Sequence, residues 1–234
     1  MRRREALAIL GLPLLLAGCG EPDRVVNCRL ILEVETPEGL KTGSSVVEKI
    51  YHLNSTFERM SGADWNYQTR GEATAVDLGA RGILFALLKG DEDRPRSGAG
   101  PGPGVFFHLY GAHPNENQAV LAALDAIKRD KPRIELPVSS APLLVRFRDI
   151  NDPKSVEKVD PLDLAKTFGA GVRLTRMFVE ATDAPVTEEI AKRLGWLNGS
   201  FLGTGTLSEF AGPGNPSKLS KNLSTVEFQT GFRR

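Results

Sequence analysis

The chain has 234 residues, 41% of them hydrophobic and 25% charged, which is enough apolar content for a buried core and too much for a disordered chain. Its formal net charge of +1 carries no basic excess, so the electrostatic footprint of a nucleic-acid binder is missing. Two cysteines, Cys19 and Cys28, are too few for a disulfide framework.

The first element reads as a leader. Arg2, Arg3 and Arg4 precede an apolar run over residues 6–17, interrupted only by Gly11 and Pro13. That is the layout of a secretory signal, whose apolar part runs about 7–15 residues, well short of the roughly 20 needed to span a bilayer. The run ends in Leu16-Ala17-Gly18-Cys19. Small residues let a peptidase grip an extended backbone closely, and the thiol can take a diacylglyceryl group as a thioether. This stretch resembles the lipobox of bacterial lipoproteins. The resemblance implies cleavage before Cys19, lipidation of Cys19, further acylation of its new amine, and attachment to a membrane. One acyl chain binds only marginally, whereas two hold stably, at about 0.8 kcal/mol per buried CH₂. Gly20 stands where an aspartate commonly retains such proteins at the inner membrane, which points to the outer membrane, facing the periplasm. Arg3-Arg4-Glu5-Ala6-Leu7 also partly resembles a twin-arginine export signal, with Ala8 and Ile9 where a lysine is usual, so both export routes stay open. Removing Arg2, Arg3, Arg4 and Glu5 with the leader takes the formal charge from +1 to −1.

Residues 27–36 are the clearest strand. Val26, Cys28, Leu30, Leu32 and Val34 share one face and Arg29, Glu33 and Glu35 the other. With Cys19 lipidated, Cys28 has no partner within the chain, and its face predicts a buried core thiol. Pro37-Glu38-Gly39 is a turn, and residues 42–53 read as the returning strand of a hairpin. Residues 71–78 and 83–88 read as strands about a tight turn at 79–82. Residues 90–104 read as a Gly/Pro-rich loop without core residues, Asp91-Glu92-Asp93 in it being a solvated charge run. Residues 105–110 read as another strand. A helix follows from Pro114 or Asn115 to about Arg129, with Val120, Leu124 and Ile127 as its buried stripe and Lys128, Arg129 and Lys131 at its negative end. Residues 143–147 read as a strand. Asp160-Pro161 reads as a helix start, stopped by Gly169 and Gly171. Residues 172–181 read as a strand, 183–194 as a helix entered through Asp183-Ala184-Pro185, and 225–232 as a last strand.

Together these elements predict an α+β fold, with a mainly antiparallel sheet in the first half and three short-to-medium helices in the second. The expected organisation is a leader over 1–18, a lipid-anchored tether over 19–24, and a single domain over 25–234.

Constellations that could carry chemistry are sparse. His108 and His113 have four residues between them and no Cys pair or third His nearby, and His52 is distant, so no metal is expected. Residues 98–104 lack the Lys-Ser/Thr ending of a phosphate loop, and Gly203-Thr204-Gly205 lacks a third glycine. The stretch from Asp149 to Asp152 fails as a calcium loop because Pro153 takes a ligand place. Glu33 and Glu35 share a face with Arg29 and are expected to meet Lys49 across the hairpin, as exposed strand charges rather than an acid–base pair. No cofactor is expected. The reading is a membrane-anchored envelope lipoprotein, non-enzymatic, that binds an envelope protein or another envelope component and no nucleic acid. The alternative is a hydrolase-like envelope enzyme whose site forms only in three dimensions; a deep pocket of converging polar groups would favour it.

Overall fold

The computed structural model describes residues 21–55, 59–60, 64–94, 102–113, 116–198, 205–210 and 215–231. The leader, the lipobox and Cys19 lie outside the described residues, as do residues 95–101 of the Gly/Pro-rich loop and Gly203-Thr204.

The period-two pattern after the leader becomes strand β1 (Arg24–Thr36), whose even-numbered residues from Val26 to Thr36 are all buried. It turns through Pro37 and Glu38 into β2 (Gly39–Leu53), where Gly39 takes the left-handed φ of +112° that closes the hairpin. β1 pairs antiparallel with β2 along its whole length, Arg24 opposite Tyr51 and Thr36 opposite Gly39. On its other side β1 pairs with β9 (Arg173–Thr182). With β3 (Trp65–Glu72), β6 (Arg133–Leu136) and β10 (Gln229–Thr230), these strands form a sheet ordered β10-β3-β2-β1-β9-β6.

A second sheet, ordered β4-β5-β7-β8, is built from β4 (Thr74–Asp77), β5 (Ile83–Ala86), β7 (Leu144–Phe147) and β8 (Val156–Val159). Every pairing in both sheets is antiparallel, so the α+β class stands. The sheets meet where β2 crosses β4. A Cβ on Gly43 would stand 2.2 Å from the Ala75 carbonyl oxygen, and beside it Ser45 and Thr74 share a buried hydroxyl hydrogen bond of 2.6 Å. One apolar cluster lies between the sheets, with Cys28, Leu30 and Leu32 of β1 in the same core as Val76, Leu84 and Leu144. A second covers the opposite face of the second sheet. There Phe85, Val145 and Val156 meet Leu197, Leu207, Leu223 and Phe228 from the C-terminal turns.

Helix α1 (Asn117–Asp130) buries the expected stripe of Val120, Leu124 and Ile127 and ends on Lys131, held at a left-handed φ of 49°. Other elements depart from the sequence reading. The run at 105–110 is a 3₁₀ helix, Pro103–Tyr110, rather than a strand; its buried Pro103 and Phe106 stand three apart, the repeat of that helix. Asp160 caps a turn, accepting from the Leu162 N–H at 2.9 Å, and α2 (Ala165–Phe168) begins only afterwards, stopped by Gly169 at φ +97°. Residues 183–189 form no helix. The Thr187 hydroxyl and amide bond the backbone of Val46, so this stretch lies along β2, and only α3 (Ile190–Arg193) is helical. Glu72 supplies the missing N-terminal cap, accepting from the Glu189 and Ile190 N–H groups at 2.9 and 2.8 Å. Residues 225–227 are a 3₁₀ turn closed by reciprocal Ser224–Glu227 bonds, which leaves only the two-residue β10 as strand.

Candidate functional site

Beyond β5 the backbone keeps pairing for a few residues. Leu87 donates to the Leu143 carbonyl and Leu143 donates back to that of Lys89, each at 2.9 Å. The chain then turns at Asp91. This residue is 5% exposed, which corrects its reading as part of a solvated charge run. Its carboxylate accepts from Arg94 Nε at 2.8 Å, from Lys158 Nζ at 2.6 Å and from the Asp93 N–H at 3.1 Å. Lys158, on β8, also donates to Asp93 at 2.6 Å. Arg94 continues inward and donates to the carbonyls of Ser139, Ala141 and Pro142 at 3.0, 2.8 and 3.1 Å.

Burial works against the charge of Asp91, but the Arg94 and Lys158 hydrogen bonds outweigh it and hold the carboxyl below its ordinary range. Burial also works against the ammonium of Lys158, and its two carboxylate partners hold it above its ordinary range. The pair is therefore fully ionised at neutral pH. That suits a fixed electrostatic fixture rather than a group that exchanges protons near neutrality.

The Asp91–Lys158 bridge is the wall between two clefts. One, of about 410 Å³, has a floor of Leu143, Leu219 and Leu223 under a rim that includes Lys89, Lys158 and Lys218. The other, of about 360 Å³, is lined on its far side by Asp160, Asp163, Lys166 and Thr167. Both linings mix the two signs: Asp91, Glu92 and Asp93 stand with the three lysines of the first cleft, and Asp91, Asp160 and Asp163 with Arg94, Lys158 and Lys166 of the second. The first cleft can thus seat an apolar chain on its leucines under a rim of mixed charge.

The residues singled out in the sequence fall elsewhere. Cys28 is fully buried, and burial pushes its thiol up to about 12. Glu33 and Glu35 do not meet Lys49. They lie on the outward face, where Arg173 donates to Glu35 at 2.9 Å and Arg176 stands 3.9 Å from Glu33. Lys49 sits opposite Val26, on the buried face. It donates to Thr69 Oγ1 at 2.6 Å and stands 5.5 Å from the Tyr67 ring centre, and burial pushes its ammonium down. His52 pairs with Asp23 at 2.7 Å. Among the described residues, no three His, Cys, Asp or Glu side chains are arranged to hold a metal. Asp149 and Asp152 bond the backbone N–H groups of Asn151 and Lys154, which is turn chemistry.

The sequence reading missed Asp91, Arg94 and Lys158. The available signal was the three-residue spacing of Asp91 and Arg94; nothing local tied either to Lys158. The fold is that of an α+β protein of two antiparallel sheets, with two clefts separated by the Asp91–Lys158 ion pair. Compared with protein-family models, curated proteins and solved structures, the chain matches none.

Proposed function

We propose that this chain is a lipid-anchored envelope protein, cleaved before Cys19, that binds a partner and catalyses no reaction. The observation that carries the reading is Leu16-Ala17-Gly18-Cys19 at the end of an arginine-led apolar run. The fold is consistent with it, since β1 begins at Arg24 and Glu21, Pro22 and Asp23 are exposed, so cleavage before Cys19 removes no described element. Gly20 favours the outer membrane, facing the periplasm. The ionised wall between the clefts supports binding over acid–base chemistry. The partner group it suits is an apolar chain with a polar end that meets the mixed-charge rim.

The test is metabolic labelling with a fatty acid. The unaltered protein should incorporate the label and shorten by the leader, and Cys19→Ala should do neither. An unaltered protein that takes up no label would remove the reading. For the binding arm, Lys218→Glu should weaken crosslinking to the envelope partner at least several-fold in intact cells. An unchanged yield would remove this cleft as the site.

A further inference from the structure

The end of the first sheet that carries Arg24 is well defined. β2 finishes there at Leu53 and β9 at Thr182. Helix α1 crosses it: Trp65 Nε1 donates to Asn117 at the helix start, Arg24 reaches Asp125 further along, and Lys131 just past the last turn pairs with Asp183. The connection from β2 to β3 leaves and returns at the same end, closed by the Asn54 N–H donating to the Asp64 carbonyl at 3.0 Å. That connection carries Met60, 82% exposed and the most exposed large apolar side chain among the described residues. The opposite end holds the β1–β2 turn. There Glu38 accepts from Arg81, which also donates to the Phe168 carbonyl beside the Asp160–Thr167 cleft.

The chain outside the structure says which end faces lipid. Four residues, 20–23, separate Cys19 from β1, and they reach at most about 14 Å when extended. Arg24 shortens that reach further by donating to the Pro22 carbonyl at 2.6 Å. Acyl chains on Cys19 would therefore hold the Arg24 end within a few residues' length of the headgroups. Arg24 itself is engaged by Asp125, and Arg29 is engaged by Glu180 on the outward face, so neither arginine forms the free basic rim that a charge-driven contact would need. Met60 is the large apolar side chain that this end exposes most, and the exposed Lys128 of α1 stands at the same end.

We propose that this end of the first sheet is a lipid-contact surface, with Met60 entering the interfacial layer of the bilayer that anchors Cys19. This rests on the lipoprotein reading. β1 then stands upright, its twelve residue steps lifting the β1–β2 turn on the order of 40 Å from the lipid surface. The cleft bounded by Thr167 opens towards the aqueous side.

The full lipidated protein, reconstituted in phosphatidylcholine vesicles containing spin-labelled phosphatidylcholine, tests this. An environment-sensitive fluorophore is attached in Met60→Cys or, at the turn end, in Leu40→Cys; Leu40 is 60% exposed, and buried Cys28 stays unmodified. The label at position 60 should shift to the blue and be quenched several-fold more than the label at position 40. Equal quenching at both positions, or stronger quenching at 40, overturns the proposal while fatty-acid labelling of the same preparation keeps the lipoprotein reading in place. Absence of fatty-acid labelling overturns both.

Discussion

Asp91 shows how a single buried carboxylate organises its surroundings. Arg94 and Lys158 hold it ionised against the cost of burial, and Arg94 in turn satisfies three carbonyls. Asp91→Ala should therefore lower stability by about 2–3 kcal/mol in urea unfolding, somewhat less than a fully buried pair because Lys158 keeps contact with water. The sign of the pH dependence follows from the lowered carboxyl. Its contribution is complete above the unfolded-state value of about 3.9 and is lost as pH falls through the folded value. Asp91→Asn should accordingly flatten the loss of stability below about pH 4, measured as urea midpoint against pH. Cys28 has the opposite sign. Its thiol is raised to about 12, so the stabilisation is full below the unfolded value of about 8.5 and fades as pH rises above that. Iodoacetamide at pH 8 should leave Cys28 unmodified in the native protein and label it once urea is added. Rapid labelling of the native protein would show the thiol to be accessible.

At the scale of elements, the contact between β2 and β4 leaves no room for a side chain. Gly43 is there because a Cβ would overlap the Ala75 carbonyl oxygen, and neither backbone can yield without breaking sheet bonds. Gly43→Ala should cost about 1–3 kcal/mol by overpacking, read from the urea midpoint. The edge strands β6 and β8 escaped the sequence reading because four residues hold too few alternations to show a period. The stretch at 183–194 misled for a different reason. Local composition allowed a helix, but Thr187 and Glu72 offered its backbone tertiary partners that hold it along β2 until Ile190. The hairpin of β1 and β2 and helix α1 were readable because each is long enough for its periodicity to be unambiguous.

On the scale of the whole molecule, the C-terminal turns complete the fold. Phe228 stands 6.4 Å from Phe85, 5.7 Å from Phe147 and 5.6 Å from Trp196, closing an aromatic cluster over the outer face of the second sheet. Phe228→Ala should lower stability by about 3–5 kcal/mol and weaken the near-ultraviolet circular dichroism of Trp196. An unchanged spectrum would mean that the layer packs without this ring.

The amino-acid sequence by itself determined the α+β class, the inward face of β1 with Cys28 on it, and the buried stripe of α1, and it alone carries the Leu16-Ala17-Gly18-Cys19 motif on which the lipoprotein proposal rests. Each of these is encoded by neighbours within a few residues, where periodicity and small motifs act. Only the tertiary structure decided that Asp91 is buried, because its partner Lys158 lies 67 positions away on another strand. It likewise set Glu33 and Glu35 against Arg176 and Arg173 instead of Lys49. Strand alternation says which side chains share a face. Which charges meet on that face depends on sheet order and register, and those are fixed only when distant strands pair.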